Sequence, residues 1–228
     1  MKTIVCIFAH PDDEAFGPAG TIAKLAKEND VYILCATKGE AGLQNKKLEI
    51  KNQNDKAKIK KLGEIRADEL RQSAKVLGVK GVYFLGFEDG TLCNNLYHKL
   101  TAKIKRKLLQ LKPEIILTFE PKGISGHIDH ITVSMVASFL FYKLLFIKEM
   151  WQHCLLKEYQ YMVGQNYFIY FPPGYDRSDV DKTIDVSDVW ETKVAAMYCH
   201  KTQLKDIKRI LRSYAKRPKE ENFLVVTK

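Results

Sequence analysis

Residues 3–9 form a short unbroken apolar run rich in β-branched side chains, the pattern of a strand buried on both faces. Residues 31–36, 81–85 and 114–119 repeat it. Helical patterns fill the intervals. Residues 21–26 continue a helix that opens after Pro11 and the acidic residues Asp12, Asp13 and Glu14, where the helix dipole favours negative charge. Residues 64–77 put Ile65, Leu70, Ala74 and Leu77 on one face, with Gly78 as the stop. Residues 96–111 predict a basic amphipathic helix closed by Pro113, and 133–147 an apolar helix buried more deeply than the others. Strand and helix alternate at least four times, which predicts an α/β fold: a mostly parallel sheet with helices on both faces.

The later sequence changes character. Residues 161–171 are aromatic and β-like, ended by Pro172, Pro173 and Gly174. Helices are expected at 189–199, with Ser187 or Asp188 as N-cap, and at 204–214. No repeat or linker divides the chain, so one domain over 1–228 is expected. The Lys-rich stretch 46–61 reads as an exposed helix or a mobile excursion.

Lys and Arg total 37 against 27 Asp and Glu, a net charge of +10. That surplus permits anionic partners without selecting one. Aromatic residues do not interleave the basic ones, so no nucleic-acid partner is expected. The five cysteines are odd in number and form no CxxC, which fits reduced thiols in a cytoplasmic protein. No apolar run approaches the ~18 residues of a membrane span, and no signal peptide is recognisable.

The ionisable residues fall where such a sheet binds ligands, beyond the carboxyl ends of its strands. His10, Asp12 and Asp13 follow the first strand, Asp89 the third, and His127, Asp129 and His130 the fourth. Two imidazoles and one carboxylate, His10, His130 and Asp13, suit Zn²⁺ with one open position. A cation there would lower the pKa of a bound water from about 15.7 toward roughly 7. Asp12 is placed for a general base, and His127 to meet an oxyanion or protonate a leaving group. Asp129 could fix a histidine tautomer. Taken singly, HPDD is an ordinary strand-to-helix turn with Asp as a cap, and HxDH is equally weak; the pair, each after a buried strand of one sheet, is the stronger signal. His98 and His153 read as surface histidines. The chain lacks GxGxxG after its first strand, GxxxxGK[ST] and GxSxG, so neither a dinucleotide site, a P-loop nor a serine-hydrolase elbow is expected.

Ala9-His-Pro-Asp-Asp-Glu14, Thr37-Lys-Gly-Glu-Ala-Gly42, the helix from Arg66 to Gly78, Gly126-His-Ile-Asp-His130 and the late His200-Lys-Thr-Gln203 together resemble the PIG-L/LmbE family of zinc-dependent N-acetylglucosaminyl deacetylases. The first and fourth motifs are the specific ones. The resemblance implies a Rossmann-like fold, zinc on His10, Asp13 and His130, Asp12 as general base, and His127 as oxyanion stabiliser and acid, tuned by Asp129. It implies Arg66 and Asp89 at positions that hold sugar hydroxyls or a neighbouring group, a structural or supporting His200, and an acetylated-sugar substrate. Relatives form various oligomers, so a homo-oligomer is possible. Ser125 stands where some members carry a tyrosine, and Ile128 replaces the usual proline. Alternatives are a deacylase or amidase of another acylated glycoside or thiol conjugate, and a non-catalytic sugar-binding module. The loop 91–95 and the aromatic last third are expected to set the substrate.

Overall fold

The computed structural model describes residues 1–42, 53–160 and 170–228. The first part of the Lys-rich stretch and most of the aromatic segment 161–171 lie outside the described residues. In chain order the elements are β1 (Thr3–Phe8), α1 (Asp13–Phe16), α2 (Ala19–Ala26), β2 (Asp30–Cys35), α3 (Gln53–Val76), β3 (Gly81–Phe84), α4 (Tyr97–Leu111) and β4 (Ile115–Phe119). There follow α5 (Gly123–Gly126), α6 (Ile128–Lys143), β5 (Glu149–Cys154), α7 (Lys157–Gln160), β6 (Lys182–Asp185), α8 (Trp190–Cys199), α9 (Leu204–Tyr214) and β7 (Glu220–Thr227).

One seven-stranded sheet has the order β3-β2-β1-β4-β5-β7-β6. From β3 to β5 every pairing is parallel; β7 runs antiparallel to β5 and β6. β1 lies between β2 and β4, with Ile4 opposite both Val31 and Ile115. It is buried from Ile4 to Phe8, which is why its sequence is a continuous apolar run instead of an alternation. Two helix groups cover the sheet: α4 packs with α6, and α8 packs with α2 and α3. This is the α/β architecture expected from the alternation of strands and helices.

Several expectations are corrected. β5, β6 and β7 were not legible, because their sequences mix polar with apolar residues. β5 reads EMWQHC, and its Gln152 and His153 are both buried. His153 is therefore not a surface residue: it is 6% exposed, and burial lowers its pKa to about 4. α3 starts at Gln53, not at 64, so it takes in the second part of the Lys-rich stretch. α6 spans Ile128–Lys143 instead of 133–147, and it is not the most deeply buried helix, since Met135, Phe139 and Tyr142 are exposed. Neither Ser187 nor Asp188 caps α8: Val189 stands at its N-cap with no side-chain hydrogen bond.

Polar burial ties the antiparallel edge to the rest. Glu221 of β7 accepts from the amides of Gly20 and Thr21 at the start of α2, at 2.9 and 2.7 Å. A carboxylate there satisfies helix N–H groups that have no intrahelical acceptor. Lys193 of α8, fully buried, donates to Glu221 Oε1 at 2.6 Å and to the Gly17 carbonyl at 2.6 Å.

Candidate metal centre and its surroundings

The sheet winds outward in both directions from β1 and β4, so their carboxyl ends flank the topological switch point, where open α/β sheets leave a crevice. The first and fourth motifs enter that crevice. His10 and Asp13 follow β1. His130 lies on the first turn of α6, beyond β4.

Asp13 Oδ2 accepts from the amides of Ala9 and His10 at 3.1 and 2.7 Å, which turns Oδ1 toward His130 Nε2 at 3.3 Å. His10 Nδ1 lies 3.2 Å from His130 Nε2 and 3.7 Å from Asp13 Oδ2. Ligand atoms about 2.0–2.2 Å from a tetrahedral cation stand roughly 3.4 Å from one another, so His130 Nε2 has that spacing to both His10 Nδ1 and Asp13 Oδ1, and the ligand atoms of the three residues all lie within 4.8 Å of one another. The outer nitrogens are held as metal-binding imidazoles require. His130 Nδ1 donates to the Gly123 carbonyl at 3.1 Å. His10 Nε2 lies 2.9 Å from Asp89 Oδ1 and 3.1 Å from Asp129 Oδ2 and donates between them. His10, Asp89, His127 and Asp129 form a second cluster of potential ligand atoms. Its carboxylates are already taken: Asp89 Oδ2 accepts from the Ala41 amide, and Asp129 from Gly90 and Leu92. That cluster supports His10 and does not rival the first.

Burial opposes protonation of His10, but the hydrogen bonds to Asp129 and Asp89 and the charge of Asp13 outweigh it and raise its pKa to about 10. Burial also opposes ionisation of Asp13, yet His130 and His10 hold its pKa well below the ordinary range. A cation on these atoms takes the place of that shared proton charge.

Asp12 sits beside this face with φ at 106°, a left-handed conformation that non-glycine residues seldom adopt. Its amide donates to Glu14 Oε2 at 3.1 Å. Glu14 is fully buried and accepts on Oε1 from Ser73 Oγ at 2.6 Å and His200 Nε2 at 2.7 Å. Arg66 Nη2 donates to Asp12 Oδ2 at 2.9 Å and to the Pro11 carbonyl at 2.7 Å, and Nη1 donates to Gly39 O at 2.5 Å. A Cβ on Gly42 would lie 1.8 Å from Nη1 and one on Gly39 2.5 Å from it, which gives the glycines of the second motif a physical reason. Burial pushes the Asp12 carboxyl up to about 7, against the pull of Arg66.

His127 is the N-cap of α6. Its Nδ1 accepts from the Asp129 amide at 3.1 Å, so its proton stays on Nε2. Burial, followed by the neighbouring His130 and His10, lowers its pKa to about 4.

The residues singled out from sequence therefore converge, but Asp129 has another partner than expected. Asp129's carboxylate contacts His10, and reaches His127 through charge and through its own backbone amide. Arg66 and Asp89 line the cavity, and their polar atoms hold neighbouring groups, Asp12 and His10, the second of the two roles the resemblance implied. Sequence reasoning missed Glu14's grip on Asp12, and it missed one wall: Gln203, Asp206, Arg209 and Ile210, from α9 and the turn before it, line a cavity of about 210 Å³ together with His10, Asp12 and His127. Only the amphipathic spacing of α9 pointed toward the sheet.

A doubly wound sheet with a His-Asp-His face and a guarded carboxylate at its switch point belongs to the class of α/β proteins with a candidate metal centre. The particular family follows from comparison: residues 5–140 match the PIG-L family model, described as GlcNAc-PI de-N-acetylase, and the chain belongs to that family. It is 29% identical over 223 residues to a 1D-myo-inositol 2-acetamido-2-deoxy-alpha-D-glucopyranoside deacetylase of Corynebacterium glutamicum, covering 88% of this chain and 74% of the relative. It is 33% identical over 153 residues to a mycothiol S-conjugate amidase of Streptomyces coelicolor, 59% of this chain and 50% of the relative. Among solved structures, the N,N'-diacetylchitobiose deacetylase of Pyrococcus horikoshii superposes with a TM-score of 0.71 over 99% of this chain and 84% of that one, at 24% identity.

Proposed function

We propose that this chain hydrolyses the N-acetyl amide of an N-acetylglucosamine-containing substrate, releasing acetate and a free amino sugar, with zinc held by His10, Asp13 and His130. The observation that carries the reading is the spacing of His130 Nε2 from His10 Nδ1 and from Asp13 Oδ1, beside Asp12, in a family whose model is described as a de-N-acetylase. Bound there, the cation supplies Lewis acidity toward the amide carbonyl and the attacking water.

The chain's own groups do the rest. Arg66 fixes Asp12 Oδ2, and the carboxylate takes the water's proton as oxygen bonds to the acyl carbon. His127 presents its Nε2–H to the developing oxyanion. Because Nδ1 already accepts the Asp129 amide, the ring donates a hydrogen bond while keeping its proton. Asp12 then returns its proton to the nitrogen as the C–N bond breaks. We assign the acid step to Asp12 on this ground, not to His127 as the resemblance implied. The polar side of the cavity, with Gln203 and Asp206, faces the sugar. Five free cysteines suit a reducing compartment such as the cytoplasm; among the described residues no helix is long and apolar enough to cross a membrane.

The test is acetate release from N-acetylglucosamine, its inositol and malate glycosides and diacetylchitobiose, with metal analysis of the same samples. At least one substrate should be cut by zinc-loaded protein, and His130→Ala should lose both metal and turnover. A full panel without acetate release from fully zinc-loaded protein defeats the reading.

A further inference from the structure

The cavity over Asp12 and His127 is not the end of the space around the candidate metal ligands. A second recess of about 170 Å³ adjoins it, with Asp13 and His130 lining both. The two differ in chemistry. The first is walled by Asp12, Arg66, Asp89, Gln203 and Asp206, groups that match hydroxyls. The second has Phe8, Phe119, Pro18 and Leu155 as walls of its own and shares Phe16, Ile124, Arg209 and Ile210 with the first.

Three of the recess's polar members have partners within the protein, while the Nε atoms of Arg209 and Arg217 are buried with no hydrogen-bond partner among the described residues and His153 also lines the recess. Ser213 Oγ donates to the Ile210 carbonyl at 2.7 Å, and Arg209 pairs with Asp206 at 2.9 Å. Arg217 lays its guanidinium 3.7 Å from the centre of the Tyr214 ring. An apolar cavity of about 150 Å³ accepts a ring of six carbons. The recess therefore has room for roughly six carbon atoms, where an acetyl group supplies a single methyl. A substrate straddling Asp13 and His130 puts its polar part on one side and its acyl part on the other.

We propose that the recess holds the acyl chain of the substrate, and that the amides this chain cleaves best carry an aliphatic acyl group of about four to eight carbons on an amino sugar. The proposal rests on the deacylase reading above and widens its acyl class. The reaction balances as before: water's oxygen bonds to the acyl carbon, the C–N bond breaks, Asp12 passes the water's proton to the leaving nitrogen, and the products are a medium-chain carboxylate and a free amine.

Zinc-loaded protein is assayed for amine release on N-acetyl-, N-butanoyl- and N-hexanoylglucosamine, and binding of free acetate and hexanoate is measured by calorimetry. Filling the recess raises kcat/KM by at least about tenfold from acetyl to hexanoyl, and hexanoate binds at least about tenfold more tightly than acetate. Leu155→Trp, which obstructs the recess, lowers the hexanoyl-to-acetyl ratio of kcat/KM by about tenfold or more. Acetyl turnover exceeding hexanoyl turnover, or a ratio unmoved by Leu155→Trp, overturns the proposal and leaves the deacetylase reading intact. If no amide is cut, that reading fails, and the carboxylates then decide the recess: hexanoate binding no tighter than acetate rejects it, and tighter binding supports it. The same comparison serves if Leu155→Trp does not fold.

Discussion

Asp12 concentrates three constraints on one residue: a left-handed backbone, an amide bound to buried Glu14 and a carboxylate oxygen bound to Arg66. Each orients the group assigned to proton transfer. Asn tolerates the same backbone and keeps the side chain's size, so Asp12→Asn should retain metal while kcat falls by about 10²–10⁴, read by metal analysis and single-turnover assays. His153 gives a different readout. Burial holds it neutral with a pKa of about 4, against 6.5 in an exposed chain. Between those values the unfolded chain binds the proton and the folded one does not. Stability is therefore unaffected by this group above about pH 6.5 and falls as pH drops toward 4, by about 3 kcal/mol at most. His153→Gln should flatten that part of a urea-unfolding series measured from pH 7 to 4. At this scale the sequence was legible where chemistry is local: His10, Asp12 and Asp13 share one turn, and His127 and His130 another. Arg66 and Asp89 were recognisable as site residues, but their partners lie dozens of residues away, and nothing in their own neighbourhoods distinguishes gripping a carboxylate or a histidine from gripping a sugar.

Among the elements, β1, β2 and β4 could be read because largely buried strands become continuous apolar runs, while β3, a half-buried edge strand, was legible from its short apolar and aromatic run alone. β5 and β7 could not, since Gln152, His153, Glu221 and Asn222 are buried polar residues whose partners come from distant segments. Glu221 shows what that costs sequence reasoning: it looks like a solvent-facing glutamate, yet it caps α2 and neutralises Lys193 of α8. Removing one member strands the other's charge in the interior. Lys193→Met should destabilise by about 3–5 kcal/mol in denaturant titrations, and Lys193→Met with Glu221→Leu should recover part of the loss by removing the stranded charge. The double variant falls short of full recovery because the α2 amides lose their acceptor too.

For the molecule as a whole, a cation on the proposed ligands, which come from both sides of the switch point, would tie β1 to α6 and would favour the folded chain over the unfolded one. At zinc a hundredfold above its dissociation constant the fold gains about 2.7 kcal/mol, roughly 5–10 °C in thermal midpoint for a chain this long. Chelation should remove that increment together with activity, zinc should restore both, and His130→Ala should show no shift with either treatment. The wall that α9 adds carries a temporal consequence. All three proposed ligands precede residue 131, whereas α9, whose Arg209 and Ile210 line the cavity above them, lies more than seventy residues further along the chain. Zinc can thus meet the ligand cradle of a nascent chain made only through α6, before α9 adds its wall.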